Sequence, residues 1–397
     1  MPHAAGGRGQ VLVKVATAHW DSVAPIWRCC CLDLLLSPSS CVLTLTLRRD
    51  TTGLALASPG KRAAVPLATG CGHSHGLRPG AKTQLVARLM IEPELIKPRL
   101  EGTVGLEGGR RIGFAEFGDP QGRAVVWLHG TPGARRQIPH EARAYALING
   151  IRIVGVDRPG IGTSTPHLYP EILAFAADLE SIADALGIDD MAVIGLSGGG
   201  PYALAAGARM PGRVRAVGVL GGVAPTQGAD AIGGGAVALG VRFATLLRVG
   251  RVPIGLALGR LIRTVRPLAV PGLELYKRLS PEGDRRLLDR PEFAAMFIDD
   301  LLNGSRRQLH APVADVILFT RHWGFLAADV NAPAVWWHGD ADHIIPYQHG
   351  LHMVSRLPDA ELRTLHGESH LGGLGIAQEV LTTLLGIWDG RKQAAVR

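Results

Sequence analysis

Between residues 100 and 225, short runs of consecutive apolar residues alternate with longer stretches of helical period. Consecutive apolar residues are typical of strands buried on both faces. The predicted strands are Ala124–Leu128, Ile151–Val156, Met191–Leu196 and Val214–Leu220. Strand alternating with helix predicts parallel βαβ crossovers. The pattern therefore indicates an α/β protein with a doubly wound, mostly parallel sheet.

Four further strands bring the predicted sheet to eight. Thr103–Leu106 and Ile112–Phe117 flank a glycine turn and predict an antiparallel hairpin. Alternation resumes late in the chain with strands Pro333–Trp337 and Glu361–Leu365, each followed by a helical stretch. The predicted core therefore consists of residues 90–225 and 329–397.

The alternation stops over residues 226–328, which are rich in Leu, Ala and Arg and contain no strand-like run. We expect this segment to be a helical lid inserted into the core. Its prolines predict that it is divided into short helices, because proline ends or kinks a helix. They are Pro253, Pro267, Pro271, Pro281 and Pro291.

Residues 1–89 differ from the rest of the chain in composition. They hold ten basic and three acidic residues, so they account for +7 of the net charge of +8. Their apolar patches have no sustained period, which predicts a poorly ordered extension. A targeting segment and a disordered regulatory arm are two interpretations. We favour a third, in which translation begins near Met90 and the reading frame has been extended upstream.

The body, residues 90–397, carries 32 basic and 31 acidic residues. This balance, without a basic stripe, argues against nucleic acid as a partner. No stretch approaches the roughly 20 uninterrupted apolar residues that stable membrane insertion needs. All five cysteines lie in the first 71 residues. A body without cysteine suits a reducing compartment such as the cytoplasm, which we expect, and equally an exported protein without disulfides.

The candidate chemistry centres on Ser197, in the sequence Gly195-Leu196-Ser197-Gly198-Gly199 between a predicted strand and a predicted helix. A strand that turns into a helix within three residues forces the central residue into a strained conformation, and only small neighbours leave room for it. A glycine-rich turn that merely packs a helix against the sheet remains the alternative, since the chain has 52 glycines.

A serine hydroxyl needs a base and a group that orients the base. Candidate acids, Asp340 and Asp342, follow one late strand, and candidate histidines, His366 and His370, follow the next. Ser, Asp and His in this order, each just past a strand, match the chain order expected of an elbow serine. Further histidines stay open as alternatives for the base: His338, His343, His349 and His352.

With these motifs, residues 100–390 resemble the α/β-hydrolase fold. His-Gly-Thr-Pro-Gly (residues 129–133), Gly-x-Ser-x-Gly-Gly, Gly-x-x-Asp-x-x-x-Pro and a late Ser-His occur in the family's order. The resemblance implies that Ser197 is the nucleophile, His370 the general base and Asp342, rather than Asp340, the orienting acid. It assigns the oxyanion hole to the backbone N–H groups of Thr131 and Gly198. Asp157 and Arg158 are expected to be structural.

The resemblance implies hydrolysis of an ester or related acyl bond in a small, largely apolar substrate, through an acyl-enzyme on Ser197. A proline-iminopeptidase-like activity is an alternative, for which Glu274, Glu282 and Glu292 are candidate ligands of a free amino terminus. Peroxidase-like and carbon–carbon hydrolase members, and non-catalytic binding members, share these motifs. The sequence contains no metal constellation or phosphate-binding motif, so no cofactor is expected. It does not indicate an oligomeric state.

Overall fold

The computed structural model describes residues 95–306 and 308–396, together with two short strands nearer the N-terminus. The strands are, in chain order, β1 (Val13–Val15), β2 (Thr44–Leu45), β3 (Leu100–Gly105), β4 (Arg111–Gly118), β5 (Arg123–Leu128), β6 (Ile151–Val156), β7 (Met191–Leu196), β8 (Val214–Leu220), β9 (Ala334–Gly339) and β10 (Ala360–Leu365). Apart from β1 and β2, the predicted leader 1–89 lies outside the described residues, and so does Met90.

The described strands form one sheet in the order β10-β9-β8-β7-β5-β6-β4-β3-β1-β2. Strands β5 to β10 are parallel to their neighbours within that group. Strand β4 is antiparallel to both β6 and β3. The eight strands of the body confirm the predicted doubly wound, mostly parallel sheet, and β1 adds antiparallel to β3 at its edge.

The helices are α1 (His140–Ile148), α2 (Leu173–Ala185), α3 (Gly200–Arg209), α4 (Gly235–Val265), α5 (Ala269–Leu279), α6 (Glu282–Leu288), α7 (Pro291–Gly304), α8 (Ala311–Phe319), α9 (Gln348–Val354), α10 (Gly372–Gly375) and α11 (Ala377–Val396). None of the helices formed by the described residues combines the length and apolar character needed to cross a membrane.

Apolar cores cover both faces of the sheet, which explains why its strands are apolar at consecutive positions. Val126 and Val193 lie in the core with α2 and α3. Their neighbours Val125 and Ile194 lie in the opposite core with α1 and α11. Successive side chains of a strand point to opposite faces, so a strand covered on both sides needs apolar residues throughout.

Five helices, α4 to α8, lie between β8 and β9, within the segment 226–328. Pro281 and Pro291 start α6 and α7, as the sequence predicts. The expectation that Pro253 ends a helix is wrong, since it lies inside the 31-residue α4. The part of α4 that follows Pro253 is closely packed, since a Cβ added to Gly255 would overlap the His310 ring. Tertiary contact of this kind can offset the roughly 3 kcal/mol that an internal proline costs.

Candidate active site

Ser197 lies in the sharp turn between β7 and α3, within a short 3-10 segment, Ser197–Gly199. Its φ of 50° makes it the one non-glycine residue with positive φ in the described part of the chain. The turn leaves no space for side chains beside it. A Cβ on Gly195 would overlap the Gly199 carbonyl, and a Cβ on Gly199 would overlap the Leu128 carbonyl. The flanking glycines therefore permit a strained backbone that exposes the serine hydroxyl at the sheet's edge.

The structure joins the three predicted residues in one hydrogen-bonded chain. His370 Nε2 lies 2.8 Å from Ser197 Oγ, and His370 Nδ1 lies 2.7 Å from Asp342 Oδ2. All three residues are buried, each at 8% exposure. Ser197, Asp342 and His370 follow β7, β9 and β10 respectively. Because those strands are parallel, their carboxyl ends meet at one edge of the sheet.

Asp342 is held as a carboxylate by an array of donors. Its Oδ1 accepts the backbone N–H groups of Ile344 and Ile345, both at 2.9 Å. Burial alone would raise the pKa of Asp342. Hydrogen bonds from His338 and His370 outweigh that burial and keep the pKa well below its ordinary value. Asp342 is therefore a carboxylate at neutral pH.

His338 and Trp336 support Asp342 from behind, a role that the sequence did not indicate. The Trp336 indole N–H donates to His338 Nδ1 at 3.1 Å, so Nε2 carries the imidazole proton. His338 Nε2 then donates to the Ile345 carbonyl at 2.9 Å and lies 3.3 Å from Asp342 Oδ2. An indole can only donate, which fixes the tautomer of His338 and the side of the ring that faces Asp342.

The remaining acid and histidine candidates have partners elsewhere. Asp340 accepts from the Gly367 N–H at 2.8 Å and pairs with His366, whose side chain is 84% exposed. Three further histidine candidates have partners other than Ser197. His343 contacts Ser369, His349 accepts the backbone N–H of Ala224, and His352 contacts the Asp230 carbonyl. Among the predicted bases, the structure places His370 against Ser197.

The loop of residues 129–133, here named the oxyanion loop, lies beside Ser197. Gly198 approaches it so closely that a Cβ at this position would overlap Thr131 Oγ1 and lie 3.0 Å from Phe319 Cζ. Thr131 Oγ1 is itself held, because it donates to Asp315 at 2.6 Å and accepts from Arg158 at 2.9 Å. Gly198 thus lies against the Thr131 side chain, while the assignment of their N–H groups to an oxyanion hole stays a prediction.

A buried ion pair fixes the oxyanion loop from below. Arg158 donates to the carbonyls of His129 and Gly130, at 2.6 and 2.9 Å. It also binds Asp315 on α8 at 2.7 Å, with both side chains almost fully buried. Tyr202 on α3 donates to the same carboxylate at 2.8 Å. Arg158 is therefore structural, as expected, while nothing in the sequence pattern marked Asp315 as its partner.

If Ser197 is the nucleophile that the sequence predicts, Gly198→Ala is expected to lower turnover by about tenfold or more, since a shift of the loop misplaces the predicted oxyanion donor. The added methyl group overlaps Thr131 Oγ1, which Asp315 and Arg158 prevent from moving away. Gly212→Ala is the matched control, because a Cβ there meets nothing within 4 Å. Steady-state kinetics should separate the two variants, and equal turnover would contradict the close approach described here.

Two cavities open next to Ser197. The larger has a volume of about 510 Å³ and apolar walls that include Ile262, Leu273 and Phe297 from the inserted helices. The smaller has a volume of about 100 Å³ and lies against Gly198 and Phe319. Cavities of the larger size are typical of small-molecule sites, in which a few polar groups orient an otherwise apolar ligand.

A doubly wound sheet with a strained serine turn at its carboxyl edge is the architecture of the α/β hydrolases. A family model described as the alpha/beta hydrolase fold matches residues 123–374. That match spans more than half of the chain, which therefore belongs to this family.

Curated relatives match a shorter stretch. A proline iminopeptidase from Neisseria meningitidis is 33% identical over 133 residues, which are 33% of this chain and 42% of the relative. A 2-hydroxy-6-oxo-2,4-heptadienoate hydrolase from Pseudomonas putida is 32% identical over 140 residues, which are 34% of this chain and 50% of the relative. The chain thus spans half or less of the length of these curated relatives.

Solved structures share the fold over a greater length. An esterase from Rhodococcus sp. ECU1013 superposes with a TM-score of 0.53 at 19% identity, covering 74% of this chain and 100% of the esterase. At this identity the similarity shows the fold alone.

Proposed function

We propose that the chain is a serine hydrolase that cleaves an ester or related acyl bond of a small, largely apolar substrate. One observation carries the proposal: Ser197, His370 and Asp342 form a continuous hydrogen-bonded chain. The serine end of that chain opens into the 510 Å³ apolar cavity. This is the arrangement that converts an unreactive hydroxyl into a nucleophile.

In the proposed reaction, His370 Nε2 takes the Ser197 proton as Oγ attacks the acyl carbonyl carbon. The carbonyl oxygen becomes an oxyanion, which the N–H groups of Thr131 and Gly198 stabilise. Asp342 stabilises the imidazolium, which then gives its proton to the leaving oxygen. Water, deprotonated by His370, cleaves the acyl-enzyme and restores Ser197. Preorganised donors and a held tautomer supply most of the acceleration in such sites.

We further propose that α4 to α8 act as a lid over the substrate. Val265, Leu273 and Phe297 come from three of these helices and line the large cavity. The lid is also tied to the base: Asp284 on α6 accepts the backbone N–H of Leu371, next after His370, at 2.8 Å. Substrate enclosure and placement of the imidazole therefore depend on the same helices.

The iminopeptidase alternative receives less support from the cavity walls. Such an activity needs a carboxylate facing the cavity to hold a free amino group. The three glutamates proposed for this pair instead with cations: Glu274 with Lys277, Glu282 with Arg286 and Glu292 with Arg290.

Asp300 is the one acidic residue among the described residues that line the large cavity. Its oxygens accept the N–H groups of Ala134 and Arg136. Burial raises the pKa of Asp300 to about 7, so it is a poor partner for an ammonium group. An uncharged ester fits these walls better than a peptide with a free amino terminus.

The proposal is tested by labelling the protein with a fluorophosphonate probe, mapping the labelled peptide and measuring turnover of p-nitrophenyl esters. We expect the label on Ser197 and turnover well above the uncatalysed rate. Heat-denatured protein serves as the control, because it retains the serine without the His370 contact. Absence of label, or a label without turnover, would favour a non-catalytic binding protein of this fold.

A further inference from the structure

Ser197 stands where the two cavities meet. Thr131, Ser197 and Ile344 line both of them. The two spaces differ about fivefold in volume, 510 Å³ against 100 Å³. An ester bound at Ser197 has its acyl chain on one side of the carbonyl carbon and its alcohol group on the other. Cavities of unequal volume therefore distinguish the acyl group from the alcohol group.

The positions of the acid–base group and of the oxyanion donor decide which half enters which cavity. His370 lines the large cavity but not the small one. Because His370 Nε2 must protonate the leaving oxygen, the alcohol half departs on the side of the large cavity. Gly198 lines the small cavity but not the large one. With the alcohol half on the side of the large cavity, the other space that adjoins Ser197, the small cavity, is left for the acyl chain.

The walls of the small cavity limit the length of the acyl chain. Val237, Val316 and Phe319 contribute apolar walls, and Thr320 turns its hydroxyl away to the Ile317 carbonyl at 2.8 Å. A water molecule occupies about 30 Å³ of liquid, so 100 Å³ holds about three non-hydrogen atoms. Acetyl, propanoyl and butanoyl groups are the acyl chains of this size.

We propose that the preferred substrates are short-acyl esters of bulky, apolar alcohols. This inference rests on the proposed serine hydrolase function and adds the direction in which the ester is bound. The large cavity supplies apolar surface for the alcohol, and the described residues place no lysine or arginine on its walls. A charged alcohol, such as a phosphorylated one, is therefore excluded from the preferred class.

A pair of isomeric esters tests the direction. 2-Phenylethyl acetate and methyl 3-phenylpropanoate contain the same atoms, with the ester group reversed. We expect kcat/KM to favour the acetate by about tenfold or more, because each methylene that a pocket rejects changes the rate by roughly that factor. Equal rates, or a preference for the methyl ester, would overturn the inference while leaving the hydrolase function intact.

If neither isomer is hydrolysed and the fluorophosphonate does not label Ser197, the hydrolase function fails and the inference fails with it. If neither isomer is hydrolysed but the fluorophosphonate does label Ser197, only the inference is overturned, because the reactive serine then acts on other substrates. The two failures are therefore distinguishable in one set of measurements.

Matched valine variants test the assignment of the small cavity. Val316→Ala widens the small cavity, and Val265→Ala removes the same atoms from the large one. With p-nitrophenyl esters, Val316→Ala should raise the hexanoate-to-acetate ratio of kcat/KM by about fivefold or more. Val265→Ala should leave that ratio unchanged. A ratio that responds only to Val265→Ala would place the acyl chain in the large cavity and overturn the inference.

Discussion

Ser197→Ala is expected to lower kcat for p-nitrophenyl ester hydrolysis by about 10³- to 10⁶-fold, the range seen when a serine nucleophile is removed. The substitution deletes the one oxygen that lies 2.8 Å from His370 Nε2. No acyl-enzyme can then form, and His370 can at best activate water. Activity left in the variant would come from the oxyanion donors and substrate binding alone.

Ser181→Ala is the control for this variant, because Ser181 is an exposed serine on α2 whose hydroxyl bonds only locally, to the Ala177 carbonyl. It should retain wild-type kinetics. Thermal melts of both variants separate loss of chemistry from loss of fold. If Ser197→Ala keeps turnover within a few-fold of wild type while folded, the reaction does not pass through this serine and the proposed mechanism is wrong.

The positions of Ser197, Asp342 and His370 were predictable because each follows a predicted strand. Two of these strands, β7 and β9, are buried apolar runs, whereas the third, β10, is a mixed and partly exposed strand. Parallel strands place their carboxyl ends at one edge, so three segments far apart in the chain had to meet there. The same reasoning could not choose Asp342 over Asp340, since both follow β9 within three residues. The family resemblance selects Asp342, and in the structure Asp342 contacts His370 while Asp340 contacts the exposed His366.

The supporting residues were not predictable, because their partners are set by the path of the inserted helices. Asp315 meets Arg158 across 157 positions, from a helix in the segment that has no strand pattern. Trp336 lies in a run that predicts only a buried strand, and His338, just after that predicted strand, was an alternative for the base. Their contacts with each other and with Asp342 depend on which face of the sheet each side chain takes. Periodicity indicates which positions are buried but not which buried polar groups pair.

The inserted helices do more than cover the cavity, since two of their carboxylates bind core segments on both sides of Ser197. Asp284 binds the N–H that follows His370, and Asp315 binds the side chain of Thr131. A lid that only excluded water would not need polar contacts to the core at these two points. The inserted helices therefore help to fix the distance between the base and the proposed oxyanion donors.

Among the contacts between the inserted helices and the core, we expect the loss of those made by Asp315 to destabilise the fold most. Its carboxylate accepts from Arg158, Tyr202 and Thr131, which belong to three separate segments of the core. Arg158 is 1% exposed, so loss of its anion leaves a buried positive charge without water and without a counter-charge. Removing one member of a buried pair typically costs about 3–5 kcal/mol, whereas replacing both members by apolar residues is often close to neutral.

Asp315→Asn is therefore expected to lower the free energy of unfolding by about 3–5 kcal/mol, and the melting temperature by about 10 °C. Asp184→Asn is the matched control, because Asp184 pairs with Arg213 at 2.7 Å but its side chain is 67% exposed. An exposed pair contributes less than about 1 kcal/mol. The double variant Arg158→Met/Asp315→Leu should regain much of the loss, since it leaves no unpaired charge. Calorimetry of the four proteins checks this, and equal melting shifts for the two asparagine variants would show that the buried pair does not hold the inserted helices to the core.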